Sequence, residues 1–245
     1  MKRYGLIGTT LSHSWSQRWF EQKFAREGIA NACYRLYEMS SLAELRRWVA
    51  ANDIQGFNVT IPYKEAILPL MDELDHTAAA IGAVNCVEVA DGRLIGHNTD
   101  APAFLSTLRP LLQSHHTAAL LLGTGGAAKA VGHTLGQLGI DYRMVSRTPG
   151  QHLQAISYSD AVLEAASHPL IINATPVGMF PHTEETPWPD SQRLTPRHLC
   201  YDLIYNPEVT LFLRQATRAG AQCQNGLPML QRQALLSWEI WTQNK

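Results

Sequence analysis

Five apolar residues, Ala118-Ala119-Leu120-Leu121-Leu122, lead directly into Gly123-Thr124-Gly125-Gly126-Ala127-Ala128, and a helical pattern follows to about Leu138. No other stretch restricts the possible folds as strongly. The pattern is G-x-G-x-x-A in the setting that gives it meaning, after a short apolar strand and before a helix. Gly123 permits the tight turn, Gly125 lets backbone amides approach a diphosphate, and Ala128 keeps the helix close to the sheet. The helix N-terminus then offers unpaired N–H groups and the positive end of its dipole to an anion. A dinucleotide-binding α/β unit is expected; the competing reading is a glycine-rich turn in some other α/β protein.

The second strand of such a unit usually ends in Asp or Glu, about twenty residues on, for the ribose 2′-hydroxyl of NAD. Here the stretch reads Val145-Ser146-Arg147-Thr148, with no carboxylate. Arg147 can stack on adenine and pair with a 2′-phosphate, and Ser146 and Thr148 can donate hydrogen bonds to it. NADP is the expected cofactor, against a surface charge as the ordinary reading of a lone Arg.

Strands alternate with helices on both sides of this motif. Upstream, strands are expected at Tyr4–Gly8, Cys33–Tyr37 and Ile54–Val59, helices at Ser16–Glu27 and Leu42–Ala50, and a further helix opening at Pro62. Val84–Val89 and Arg93–Gly96 read as a hairpin turning at Asp91-Gly92. Downstream, strands are expected at Tyr142–Val145, Leu170–Ala174 and Leu199–Ile204. Pro181 to Pro196 carries four prolines and reads as a loop, and the last helix runs from about Met229 to Thr242. The alternation implies right-handed crossovers and parallel pairing in two α/β domains, with a boundary near Thr99 to Pro110. Spacing alone leaves open whether the last helix returns to the first domain.

Composition narrows the function. A net charge of −1 gives no footprint for nucleic acid, and the apolar runs are too short to span a bilayer. The four cysteines, Cys33, Cys86, Cys200 and Cys223, are widely separated, which favours a reducing cytoplasm over a disulfide framework or a metal site. The first residues enter a strand-like segment with no signal-peptide pattern.

Polar clusters stand at the expected strand ends, where open α/β sheets bind ligands: Ser12-His13-Ser14-Trp15-Ser16, Asn58 to Lys64, Gly82 to Asn85, and Gly96-His97-Asn98-Thr99-Asp100. In order and spacing these segments resemble the shikimate dehydrogenase family. H-S-x-S appears at His13–Ser16, N-V-T-x-P-x-K at Asn58–Lys64, G-A-x-N at Gly82–Asn85 and N-T-D at Asn98–Asp100. G-x-G-G-A appears at Gly123–Ala127, N-A-T-x-x-G-M at Asn173–Met179, D-x-x-Y-x-P at Asp202–Pro207 and G-x-x-M-L-x-x-Q-A at Gly226–Ala234. Any one of these is weak; eight in order are specific.

The resemblance implies reversible NADP-dependent reduction of 3-dehydroshikimate to shikimate, on the way to chorismate and the aromatic amino acids. It implies a substrate and catalytic domain over residues 1–100, a Rossmann-type NADP domain over 101–224, and a C-terminal helix, 225–245, packing on the first domain. It implies that Lys64 and Asp100 form the catalytic pair. Ser14 and Ser16 would bind the substrate carboxylate, Asn58, Thr60, Asn85 and Gln233 the ring hydroxyls, and Tyr205 would sit near the substrate. Gly123, Thr124, Gly125, Gly126, Ala127, Ser146, Arg147 and Thr148 would hold the cofactor. Thr175, Leu203 and Gly226 would lie at its nicotinamide end, close to Met179. No metal is expected, the partner is a small molecule rather than nucleic acid or membrane, and the protein is a cytoplasmic monomer or homodimer.

The residue types suit that chemistry. A polyhydroxylated acid needs many short polar groups, because a buried hydroxyl left unmatched costs about 1–3 kcal/mol. Carbonyl reduction needs a proton, which a Lys beside an Asp can deliver. Near a helix N-terminus the dipole favours proton loss from Lys64, and Asp100 opposes it. Singly, each residue has an ordinary reading: Lys64 as a surface lysine, Asp100 or the serines as helix caps, Thr60 as a turn residue, Asn85 as a strand-edge group, Tyr205 as a core ring, Gln233 as a solvated helix residue. His13 is read as structural, since no step requires it.

Several positions depart from the family pattern. Thr10 and Gln17 stand where proline is common, Cys86 where threonine is, and Pro176 where a small residue is. Gln151 replaces a second arginine, which removes one clamp on a 2′-phosphate, and Thr148 to Pro169 leaves little room for a long crossover helix. Three alternatives follow: a quinate/shikimate dehydrogenase with relaxed use of NAD and NADP, a non-catalytic module binding shikimate or NADP, and an NADP-dependent reductase of another small acid.

Overall fold

A computed structural model describes residues 1–12, 14–151 and 155–243. His13 lies outside the described residues. The chain forms two compact units, Met1–Thr99 with Gln231–Lys245, and Asp100–Leu230. Among the described residues no helix is long and apolar enough to cross a membrane.

The first unit contains β1 (Lys2–Gly8), α1 (Ser16–Glu27), β2 (Ala32–Glu38), α2 (Leu45–Ala51), β3 (Ile54–Val59), α3 (Tyr63–Ala66), β4 (Glu73–Leu74), α4 (His76–Ile81), β5 (Cys86–Ala90) and β6 (Arg93–His97). Its sheet runs β2-β1-β3-β5-β6-β4. β1 pairs in parallel with β2 and β3, and the β5–β6 hairpin adds antiparallel to β3. Asp91 and Gly92 both take positive φ, 50° and 75°, as a two-residue hairpin turn of right-handed twist requires.

Each face of this sheet is covered. Ile7, Phe57, Val59, Val84 and Val87 pack with Leu45 and Val49 of α2 on one side. On the other, Tyr4, Leu6 and Tyr34 meet Phe20 and Phe24 of α1 and Ala234 and Trp241 of the last helix. Trp241 is fully buried, stacks on Tyr4 at 4.9 Å and donates its ring N–H to the Val87 carbonyl at 3.0 Å. Truncating such a ring costs about 3–5 kcal/mol.

The second unit contains α5 (Asp100–Leu108), β7 (Ala118–Leu122), α6 (Gly126–Gln137), β8 (Asp141–Val145), α7 (Tyr158–Glu164), β9 (Leu170–Asn173), β10 (Leu199–Asp202), α8 (Leu211–Arg218) and β11 (Gln222–Gln224). The helix α9 (Leu227–Gln243) follows. The sheet is wholly parallel in the order β11-β10-β9-β7-β8. Its central strands are buried on both faces, which is why they read as unbroken apolar runs. The order places the topological switch at β7, with β8 on one side and β9 on the other, the position at whose strand ends doubly wound sheets bind ligands.

The proline-rich stretch is irregular apart from one short turn at Ser191–Arg193, yet it inserts Trp188 into the core beside Phe212 and Cys200. Helices α4, α7 and α8 escape a periodicity reading because they are six to eight residues long. Their N-caps carry the signal instead: the Asp75, Ser157 and Thr210 side chains each accept a bond from the amide three residues on.

Candidate active site

In the first unit the strand register gathers the polar clusters at one end of the sheet. Because β5 runs antiparallel to β3, its first residue, Cys86, pairs with Asn58 near the end of β3 and with His97 at the end of β6. Asn85 and Thr99 flank those positions. The Thr60 amide donates to the Ile7 carbonyl at 3.0 Å, joining the loop after β3 to β1. The Lys64 carbonyl accepts from the Val84 amide at 2.8 Å, which sets the α3 turn against the Gly82–Asn85 loop.

A buried net of amides and hydroxyls ties these segments together. Asn58 is 5% exposed; its oxygen accepts from the Tyr34 hydroxyl at 2.9 Å, and its NH2 donates to the Asn85 carbonyl at 3.2 Å and to Ser237 Oγ at 2.8 Å. The Asn85 side-chain oxygen accepts from the Thr99 amide at 2.7 Å, and its NH2 donates to Thr99 Oγ1 at 2.9 Å. Ser237 Oγ lies 3.3 Å from Thr99 Oγ1 and donates to the Gln233 carbonyl at 2.9 Å, one turn earlier on α9. Both Asn58 N–H groups are engaged within the protein, so any contact of its amide with a ligand falls to the second lone pair of its oxygen.

Ser237 is fully buried and lies beyond the family pattern ending at Ala234. The signal in the sequence was a polar residue on the apolar face of α9, which also carries Ala234 and Trp241. Cys86, with its thiol pushed up to about 12 by burial, lies against Ser237 and Trp241 and behaves as a small core residue.

Ser14 and Ser16 stand at the start of α1, where the Ser14 hydroxyl accepts from the Ser16 amide at 3.3 Å. Ser14 is half-buried and Ser16 buried. Lys64 is half-buried within a single helical turn whose N-cap is Pro62. A helix of four residues has little macrodipole, so the dipole contributes less at Lys64 than a long helix would. Asp100 is buried and opens α5 in the second unit.

In the second unit the loops after β7, β8, β9, β10 and β11 carry the remaining candidates. Gly123 takes φ 111°, and a Cβ there would crowd the Ala174 carbonyl. Gly125 is the N-cap of the twelve-residue α6, which has no side-chain cap, and open space surrounds the point where a Cβ would be. Thr124, Gly126 and Ala127 complete this cradle of backbone groups at a helix N-terminus, an arrangement suited to a diphosphate. Ser146 is buried and its hydroxyl accepts from the Thr148 amide at 3.1 Å; Arg147 and Thr148 are exposed. No carboxylate belongs to this turn, so its donors suit a 2′-phosphate.

Beyond β9, the Thr175 amide and hydroxyl both donate to the Asn173 side-chain oxygen, at 3.0 and 2.7 Å. Beyond β10 the Leu203 amide donates to the Asn173 carbonyl at 2.9 Å, and the Gly226 amide to the Ile204 carbonyl at 2.9 Å. Gly226 lies so close to the Leu203 carbonyl that no Cβ fits. Thr175, Leu203 and Gly226 are therefore brought together at one sheet end. Tyr205 is half-buried in the same loop as Leu203, and Met179 is exposed.

Residues 6–87 match the family model described as the shikimate dehydrogenase substrate binding domain. The chain is 37% identical over 260 residues to the shikimate dehydrogenase (NADP(+)) of Shouchella clausii, covering 100% of this chain and 94% of that one. Among solved structures it is similar to shikimate 5-dehydrogenase of Thermus thermophilus in complex with NADP(H) and shikimate, with TM-score 0.88, 33% identity, and 99% and 94% of the two chains covered. It is also similar to the Aquifex aeolicus shikimate dehydrogenase, with TM-score 0.90, 31% identity, and 99% and 93% covered.

Proposed function

The chain belongs to the shikimate dehydrogenase family, and from that premise we propose that it catalyses the reversible NADP-dependent reduction of 3-dehydroshikimate to shikimate, on the route to the aromatic amino acids. The observation that carries this reading is similarity over the whole chain to enzymes of that name. The first unit is the substrate domain, completed by the C-terminal helix, and the second is the NADP domain.

Bound NADPH supplies the hydride. The backbone from Gly123 to Ala127 holds the diphosphate, and Ser146, Arg147 and Thr148 hold the 2′-phosphate. Thr175, Leu203 and Gly226 support the nicotinamide. On the substrate side, the Ser14 and Ser16 hydroxyls donate to the carboxylate. Thr60, Asn85, Tyr205 and Gln233 match the ring hydroxyls, and Asn58 chiefly aligns Asn85 and Ser237. The Lys64 ammonium gives its proton to the oxygen of the reacting carbonyl and recovers it in the reverse direction. Asp100 accepts a hydrogen bond that keeps the exchanging proton in place. The four free thiols support a reducing compartment, the cytoplasm, where the protein works as a monomer or homodimer on a small-molecule substrate.

The test is an absorbance assay of NADP reduction by the purified chain with shikimate, run in parallel with quinate and with NAD. Turnover with shikimate and NADP, and less with either replacement, is expected. No turnover with shikimate, or faster turnover with quinate, would refute the assignment.

A further inference from the structure

A carboxylate lies fully buried at the ligand end of the second sheet, and no step of the reaction uses it. Asp202 closes β10 with no exposed surface. One of its oxygens accepts from Asn173 Nδ2 at 2.9 Å and from the Ile204 amide at 3.0 Å; the other accepts from the Thr210 hydroxyl at 2.6 Å. Asn173, itself fully buried, passes this restraint on, because its oxygen takes both the amide and the hydroxyl of Thr175. The Thr175 hydroxyl in turn accepts from the Val177 amide at 3.2 Å. On the other side, the Leu203 amide is bound to the Asn173 carbonyl and the next amide to Asp202, so the Leu203 peptide is pinned at both ends beside Gly226.

Burial pushes the Asp202 carboxyl up to about 6, against the pull of its three donors. A buried charge held against a desolvation penalty is a poor way to gain stability, since apolar packing serves as well or better. What the carboxylate provides is direction: it fixes the side chains of Asn173 and Thr210 and the backbone amide of Ile204.

We propose that Asp202 is a positioning residue for the nicotinamide half of the cofactor, acting through Asn173 on Thr175 and through the Ile204 amide on the Leu203 peptide against Gly226. This rests on the assignment of those three residues to NADP.

The test compares two ligands on the full-length chain by calorimetry: NADPH, and adenosine 2′,5′-bisphosphate, which carries the adenine half alone. Asp202→Ala is expected to weaken NADPH binding about tenfold or more, the scale of a misplaced contact shell, while the bisphosphate binds as to wild type. Asp202→Asn keeps an oxygen for Asn173 and the Ile204 amide, and is expected to restore most of the NADPH affinity. Should Asp202→Ala not fold, Asn173→Ala cuts the same link while leaving Asp202 two donors, and the same split is expected. Equal NADPH affinity in wild type and these variants would overturn the proposal. So would a parallel loss of both ligands, which marks general loosening of the unit. A wild-type chain that binds no NADPH would instead refute the cofactor assignment itself.

Discussion

Each unit ends in a buried polar network, and the two are built from different chemistry. The network of the first unit joins Asn58, Asn85, Thr99 and Ser237, amides and hydroxyls that both give and accept hydrogen bonds. That of the second turns on an ionisable group, Asp202, which at neutral pH only accepts, surrounded by Asn173, Ile204 and Thr210 as donors. Neutral groups suit the hydroxyl-bearing side of the proposed substrate, because they match hydroxyls without a buried charge to solvate. A carboxylate suits a site that must hold loop backbones in fixed directions. Similar sheet ends are thus specialised by the charge state of what is buried beneath them.

Four measurements test this division. The largest concerns Lys64, which the family motif places in the catalytic pair with Asp100. Lys64→Ala is expected to lower kcat by about 10²–10⁴-fold with little change in either KM. Steady-state kinetics decide it, and normal turnover would remove Lys64 from the reaction. Next, Ser237→Ala deprives Asn58 of an acceptor in a buried setting and is expected to cost about 1–3 kcal/mol in urea unfolding. An unchanged midpoint would mean that the network relaxes around the loss.

The third is a pH effect confined to the second unit. The Asp202 carboxyl is raised from 3.8 to about 6 by burial, so its ionisation opposes folding. Its favourable contribution is complete below the unfolded value and lost as pH rises through the folded one. Relative to Asp202→Asn, wild type should therefore lose about 1 kcal/mol of stability between pH 5 and 7. Parallel denaturation curves of the two proteins at both pH values would contradict the burial argument. The smallest effect is at the exposed Gln151, which follows Arg147 by four residues. Gln151→Arg is expected to shift preference toward NADP over NAD by about twofold to fivefold, the range of an exposed ion pair; competing NAD and NADP titrations measure it.

The sequence carried the strands and the cofactor fingerprint well, because burial on both faces writes β7 and β9 as apolar runs and the glycines fall at the β7–α6 turn. Short elements were illegible: α8 is set by the Thr210 cap, and β11 is a three-residue edge strand. The networks were less legible still. Asn58 and Ser237 are 179 residues apart, and no local pattern joins them. Asp202 was visible within a motif, and two of its donors, Ile204 and Thr210, are near in sequence, but the Asn173 donor follows from parallel pairing of β9 with β10, which only the fold provides. Asn58, which the motif marks for ligand contact, also gives both its N–H groups to its neighbours, a part that no local pattern announces.

The division of labour is tested most directly by two measurements on one Ser237→Ala preparation, the KM for shikimate and the calorimetric affinity for NADPH. The predicted result is a shikimate KM raised about tenfold with NADPH affinity at the wild-type level. A fall in NADPH affinity, with or without a change in KM, would contradict separate networks serving separate ligands.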